Sequence, residues 1–235
     1  MSAVVEHVAR TKGSLPASLG GDLDRKPLSR LLRRETWPDH ERAQFSPFEM
    51  ALAAGTISRA AYLDLLCEMR WIYAAIEARA LRLGDHPIVA PVLHDGLRRG
   101  EAVEADIAFH ARELGTTPSP TMLDVTAEFA ARIESVEPVA FVAHHYTRYL
   151  ADLSGGLIIA AALRRSWGLN GEGMRLYDFS GIGDVNEFKA NYRDALDALP
   201  LDAQGKLSFI EEVMVAYGFN VAITAELAKR HAIES

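Results

Sequence analysis

The sequence predicts an all-α fold, and three observations carry that reading. Apolar residues recur at helical spacing through most of the chain. No segment of useful length alternates apolar and polar residues at the period of a strand. Ser, Asp, Gly and Pro stand at intervals that read as helix starts and stops. We expect one multihelical domain over residues 28–230 with about eight helices, preceded by a disordered tail over 1–27 that is short of large apolar side chains.

The elements follow in order. Ser29 to about Phe45 has apolar residues at 28, 31, 32 and 36 to 37, with Ser29 as a candidate N-cap. Pro38 falls inside this stretch and should kink it or loosen its first half. Ser46-Pro47 opens a short helix that ends at Gly55, and Ser58 caps a long one reaching about Leu83. Gly84-Asp85-His86-Pro87 breaks the pattern. Helices from about Leu97 to Leu114 and from Thr121 to Ser135 follow. Glu137 to Trp167 reads as one long helix interrupted by Gly155-Gly156. Each glycine inside a helix costs about 1 kcal/mol relative to alanine, so the pair implies close approach of backbone to something. The stretch 168–183 holds five glycines and reads as irregular. Asn186–Leu199 and Asp202 to about Arg230 close the chain.

Composition narrows the function. Of 235 residues, 49% are apolar, enough for a sizeable core. The formal net charge of −7 argues against a general nucleic-acid binder. One cysteine, Cys67, excludes an internal disulfide and a multi-cysteine metal site, and fits a reducing cytosol, so a cytoplasmic location is expected. Val4-Val5 is too short for a signal-peptide core. No run approaches 18 uninterrupted apolar residues, so no membrane anchor is expected.

Most of the eight histidines read as tail, loop, capping or interhelical residues. His40 differs in setting. Gln44 lies one turn after it and Arg33 two turns before it, on the same face. An imidazole with a hydrogen-bonding side chain below it and a cation at the edge suits an axial ligand of heme, and equally an ordinary histidine. Lys189 and Arg193, also one turn apart, read either as a shared anion site or as a solvated basic face. No Glu is followed three residues later by His, which weakens a di-iron bundle. Gly181-Ile182-Gly183 lacks a preceding strand and a third glycine, and neither a nucleophile elbow nor a phosphate-binding loop is present.

The run Tyr146-Thr147-Arg148-Tyr149-Leu150-Ala151-Asp152-Leu153-Ser154-Gly155-Gly156 resembles the signature of the heme oxygenase family, Tyr-Thr-Arg-Tyr-Leu-Gly-Asp-Leu-Ser-Gly-Gly, in ten of eleven positions. The resemblance extends from about Leu28 to Leu227, with the histidine helix first, the glycine helix past the middle and Phe188-Lys189-Ala190-Asn191-Tyr192-Arg193 near the end. It implies that His40 is the proximal ligand of heme b, with Gln44 below it. Gly155 and Gly156 would form the kinked distal helix, its bare backbone over the heme face, and Asp152 would be the distal carboxylate that orders water near dioxygen. Tyr73, Arg148 and Asn220 would belong to the distal polar network. Arg33, Lys189 and Arg193 would surround the propionates beside Tyr146, and Ser154 would be a heme-contacting position of the signature.

The chain departs from the family pattern in two places. Ala151 replaces the usual Gly, placing a methyl at the distal face. Gln44 replaces the Glu of many relatives, which leaves the imidazole less anionic. The implied activity is cleavage of heme, as substrate and cofactor, to biliverdin (the α isomer expected), carbon monoxide and ferrous iron. It would use dioxygen and a separate electron donor, whether ferredoxin, flavodoxin or an NAD(P)H reductase. A non-catalytic heme carrier or sensor on the same scaffold is the alternative, and a peroxidase-like enzyme a third.

Overall fold

The computed structural model describes residues 19–233, which contain eleven α-helices, four short 3-10 turns and no strand. The expected count of eight was short for two reasons. Each of two predicted helices is divided in two. In addition α1 (Leu19–Leu23) lies inside the segment read as a disordered tail, with Leu19 and Leu23 buried. The ordered fold therefore begins before residue 28, and residues 1–18 lie outside the described part.

The first division is at Thr36. Helices α2 (Leu28–Glu35) and α3 (Trp37–Gln44) meet there, with Pro38 in the first turn of α3. A proline has no N–H to give and fits a first turn better than an interior, so the chain restarts rather than kinks. The Thr36 hydroxyl closes the end of α2 by donating to the Leu32 carbonyl at 2.7 Å. Ser29 is not the cap of α2. Its amide and hydroxyl both donate to the Asp197 carboxylate, each at 2.7 Å, which ties α2 to a helix near the other end of the chain.

Helix α4 (Pro47–Ala54) ends on Gly55 at φ 75°, a left-handed conformation in which a side chain would also run into Ser166. Helix α5 (Arg59–Arg82) starts where the Ser58 hydroxyl accepts from the Ala61 amide at 3.1 Å. Tyr62, Leu66, Met69, Tyr73 and Ile76 form its buried stripe. It packs on α6 (Gly100–Leu114) and α7 (Asp124–Ser135).

The second division splits the predicted Glu137–Trp167 helix into α8 (Pro138–Asp152) and α9 (Gly155–Trp167). Leu153 and Ser154 make the break. Helix α10 (Val185–Asp197) starts on the Asp184 side chain and α11 (Ala203–Arg230) on that of Asp202. α11 is the central helix and packs chiefly on α8, and also on α3, α4 and α7. It is long and apolar enough to cross a membrane, with a window of mean hydropathy 1.3, but 61% of that window is buried in the fold. Its apolarity is that of a core helix, with Phe209, Val213, Ala216, Phe219, Ile223 and Leu227 at most 2% exposed.

The irregular stretch 168–183 is anchored. Asp106 of α6 accepts from the amides of Arg175 and Leu176 at 2.9 and 2.8 Å, and His110 contacts the Gly173 carbonyl at 2.8 Å. Gly173, at φ 78°, admits no Cβ because Phe109 would lie 2.5 Å from it. His110 is thus a buried structural residue, and this pinned loop inserts Tyr177 into the interior.

Candidate functional site

The break between α8 and α9 organises the site. Ser154 has φ −118° and ψ −72°, off the helical path, and its side chain is exposed and makes no cap. The backbone carbonyl of Leu153, at the end of α8, accepts from Lys189 Nζ of α10 at 3.5 Å. Arg193, one turn on, donates to the Lys189 carbonyl at 3.3 Å, and its charge reaches Tyr146. Lys189 therefore sits at the broken end of α8, with Arg193 one turn further along α10.

Asp152, the last residue of α8, is 2% exposed. Its carboxylate accepts from Tyr73 Oη at 2.7 Å and from Arg148 at 2.5 and 3.3 Å. The Asp152–Arg148 contact is one helical turn long, and Tyr73 comes from α5. Burial works against the Arg148 charge, and Asp152, Tyr73 and Glu49 more than offset it, so its proton is held more tightly than usual. Burial likewise raises Tyr73, with Asp152 adding to it, so its phenol stays protonated and donates.

The two glycines have different reasons. A Cβ on Gly155 would meet nothing within 4 Å, so the backbone there borders open space. A Cβ on Gly156 would lie 2.8 Å from the Tyr177 ring. At Gly156 the requirement for glycine comes from Tyr177, whose ring a Cβ would meet.

His40, on α3, is half-buried. Its ring stacks on Trp37 at 5.2 Å and meets the edge of Tyr217 of α11 at 5.9 Å. Burial pushes its imidazole below the ordinary value, with Glu41 opposing, so it is neutral and able to ligate near pH 7. Gln44 does not fulfil its expected part. It is exposed, and the buried Nδ1 of His40 has no hydrogen-bond partner. Asn220 is also displaced from its expected part, since its amide donates to the Ala216 carbonyl of its own helix at 3.0 Å. Arg33 lines a depression of about 540 Å³ with Lys26, Arg30, Arg34 and Trp37, beside the histidine rather than beside Asp152. Ala151 is half-buried one residue before Asp152.

Tyr217 joins the two halves. It edges His40 and feels the charges of Asp39 and Arg148, so α11 sets the histidine and the Asp152 cluster about one core helix. Five of the seven large exposed apolar side chains, Trp37, Phe45, Met50, Leu157 and Ile158, lie along α3, α4 and α9. Two of these elements, α3 and α9, carry the histidine and the glycines.

The chain matches the sequence profile described as heme oxygenase over residues 26–226. It belongs to the heme oxygenase family. Among its relatives, the heme oxygenase of Rhodella violacea is 32% identical over 200 residues, covering 83% of this chain and 85% of that one. That of Porphyra purpurea is 30% identical over 210 residues, covering 85% and 86%. The crystal structure of heme oxygenase-1 from Synechocystis in complex with heme superposes with a TM-score of 0.81 at 27% identity, over 88% of this chain and 95% of that one. The heme oxygenase of Leptospira interrogans superposes at 0.76 with 28% identity, over 86% and 100%.

Heme fits the residues present. A neutral half-buried imidazole, open space at Gly155 and exposed apolar side chains on the same helices suit a flat apolar ring with one iron-binding axis. Among the described residues no three His, Cys, Asp or Glu side chains gather into a separate metal cluster. Glu49, Tyr177 and Tyr217 belong to the site and escaped the sequence reading. Glu49 left a signal, a lone acid in the apolar helix Pro47–Ala54, whereas the two tyrosines left none.

Proposed function

We propose that this heme-degrading enzyme opens its substrate to the α isomer of biliverdin, with release of carbon monoxide and ferrous iron. Heme serves as both substrate and prosthetic group, and it supplies the iron at which dioxygen is activated. The observation that carries the reading is the buried Asp152–Tyr73–Arg148 cluster at a broken helix end, next to open backbone at Gly155. His40 would hold the heme iron through its imidazole. Burial keeps that ring neutral.

Arg148 donates to both oxygens of Asp152, and Tyr73 donates to Oδ2 as well, so the carboxylate is held by protein groups on both sides. A carboxylate so fixed orders water in one place and passes protons without reaching the metal. Ala151 adds one methyl beside it and narrows the space for dioxygen. Lys189 and Arg193 provide positive charge for two propionates, with Tyr146 alongside.

Electrons come from a separate carrier. The exposed Arg30 and Arg33, next to a Trp37 ring stacked on His40, favour an acidic donor such as a ferredoxin. The cytosolic setting inferred from the single Cys67 would hold such donors.

The test is direct. The protein is loaded with heme and given ascorbate in air while its visible spectrum is recorded. Loss of the heme band with appearance of biliverdin supports the proposal. Intact heme after many equivalents of reductant points to a carrier. His40→Ala should remove the axial imidazole and abolish ring opening, and an unchanged ferric spectrum in that variant would overturn the assignment of His40.

A further inference from the structure

A histidine that binds a metal through one ring nitrogen is ordinarily fixed by a hydrogen bond at the other, to a carboxylate, a carbonyl or water. Nδ1 of His40 is buried, and among the described residues it has no hydrogen-bond partner. Gln44, one turn on, is exposed and makes no bond to it. Asp39, the adjacent carboxylate, is paired with Arg42 at 3.0 Å. Among the described residues, no hydrogen bond to Nδ1 therefore sets the ring angle. The sequence does not set it locally either, because the Cβ–Cγ torsion of a histidine is intrinsically broad.

Two aromatic rings stand where that restraint is missing. Trp37 lies three residues before His40 on α3, a spacing at which helical side chains meet. Its indole covers one face of the imidazole, with centroids 5.2 Å apart and planes 18° from parallel. Tyr217 of α11 meets the imidazole at 5.9 Å with the planes at 88°. The local sequence builds this arrangement. Pro38 favours a restart of the chain at Thr36, so Trp37 opens α3 and the Trp37–His40 pair falls in its first turn. α11 packs on α3 and brings the Tyr217 ring to the same imidazole. Rotation about Cβ–Cγ would drive the edge of the imidazole into the indole face. The stack thus restrains the one torsion that no hydrogen bond restrains.

We propose that Trp37 is the positioning residue of the axial histidine: its stacked indole fixes the plane of the His40 imidazole, with Tyr217 as the second restraint. Since Nδ1 is the buried nitrogen, Nε2 is the one left for iron. A ring held in one plane is pre-organised. The heme-free protein already has the rotamer that heme selects, and its affinity is not diluted by the population of other rotamers. The plane of an axial imidazole also governs how unpaired spin spreads over a ferric heme, which gives a readout separate from turnover. Trp37 is 49% exposed, so its replacement leaves the core intact.

The proposal rests on His40 as the heme ligand, and its test separates the two. The heme-free proteins are compared first by NMR. In the wild type the indole and imidazole protons should show nuclear Overhauser contacts, and the indole should shift the imidazole protons upfield. Trp37→Leu should lose that shift, and Trp37→Phe should keep most of it. Unshifted imidazole protons in the wild type overturn the proposal without any variant.

Each protein is then loaded with heme and converted to the ferric cyanide form, whose shifted heme methyl signals read the imidazole plane. Trp37→Leu should rearrange or broaden that pattern and weaken heme binding roughly two- to tenfold. Trp37→Phe should restore both. A wild-type pattern and affinity in Trp37→Leu overturn the proposal. So does a pattern that changes in Gln44→Ala but not in Trp37→Leu, since the amide would then hold the ring. Should Trp37→Leu fail to fold, the wild-type contacts and the Trp37→Phe and Gln44→Ala patterns decide. An unchanged ferric spectrum in His40→Ala would instead overturn the ligand assignment, whatever the stack does.

Discussion

At the scale of the residue, Asp152 is held from two sides and has little freedom to be replaced. Asparagine keeps an acceptor for Tyr73 Oη but removes the charge opposite Arg148, leaving a buried guanidinium with Glu49 as its remaining counter-ion. Breaking a buried pair from one side costs about 3–5 kcal/mol where no substitute exists. Glu49 should absorb part of that, so Asp152→Asn is expected to fold, with a lower melting temperature. It should bind heme with near-normal affinity, because Asp152 need not touch the ring, yet form biliverdin at least about 10²-fold more slowly. A heme titration and a single-turnover measurement check both halves. Loss of heme binding would make the residue structural, and full activity would make it dispensable.

At the scale of the element, the break between α8 and α9 is where the sequence and the structure part company most instructively. Helix ends with a local mark were readable. Ser58, Gly55, Asp202 and Gly168 stand where the chain starts or stops, because a side-chain acceptor or a positive φ is a property of one residue. The break between α8 and α9 was marked only by the adjacent Gly155-Gly156 pair, which reads as an interruption but not as a full restart at Leu153–Ser154. Tyr177 packs against Gly156 from a loop that Asp106 and His110 pin from another helix, and no periodicity encodes a contact of that kind. The signature located the Asp152 cluster because its members Arg148 and Asp152 are neighbours on one helix. Glu49 and Tyr217 reach it only through tertiary packing, and Gln44 was misjudged because same-face spacing does not say where a side chain points.

The Gly156–Tyr177 contact gives the element-scale prediction. Gly156→Ala places a Cβ 2.8 Å from a ring carbon that cannot retreat, since the loop behind it is anchored. Overpacking of this sort costs about 1–3 kcal/mol, and α9 should shift to relieve it. Tyr177→Leu combined with Gly156→Ala should recover most of that loss, which a double-mutant cycle in urea measures. Additive losses would show that the two residues do not meet. The other face of the break carries Lys189 and Arg193. Their joint replacement by alanine should leave heme bound through His40 but free its ring to turn, so product chromatography should show mixed biliverdin isomers. Charge-assisted contacts worth roughly 1.5–3 kcal/mol each are enough to select one setting by tenfold or more. A single unchanged isomer would remove these two residues from control of regiochemistry.

At the scale of the whole molecule, two buried polar contacts fasten the central helices, and both involve histidines of α8 that take up the interhelical role expected of them. His145 of α8 hydrogen-bonds Tyr192 of α10 at 2.7 Å, and burial alone pushes its imidazole down to about 3. Glu212 of α11 takes Arg132 of α7 in two contacts of 2.6 Å and meets His144 Nε2 of α8 at 2.7 Å. Burial opposes its charge, but His144 and Arg132 outweigh it and hold the carboxyl down at about 2.

Both groups have folded values below their unfolded ones, so in both cases the unfolded chain takes up protons first as the pH falls. The His145 contribution is complete above about pH 6.5 and is lost progressively toward pH 3. The Glu212 contribution, worth roughly 3 kcal/mol, is complete above about pH 4.5 and is lost toward pH 2. Burial lowers His40 and His110 as well, and they add to the upper range with the same sign. The heme-free protein should therefore lose stability in two stages on acidification, one beginning below neutrality and one below about pH 4.5. Urea unfolding at a series of pH values measures this. His145→Phe should shrink the upper stage, leaving the part carried by His40 and His110, without touching the lower, and Glu212→Gln should remove the lower stage while lowering stability at pH 7. A single acid transition with the same slope in all three proteins would show that neither group carries the linkage.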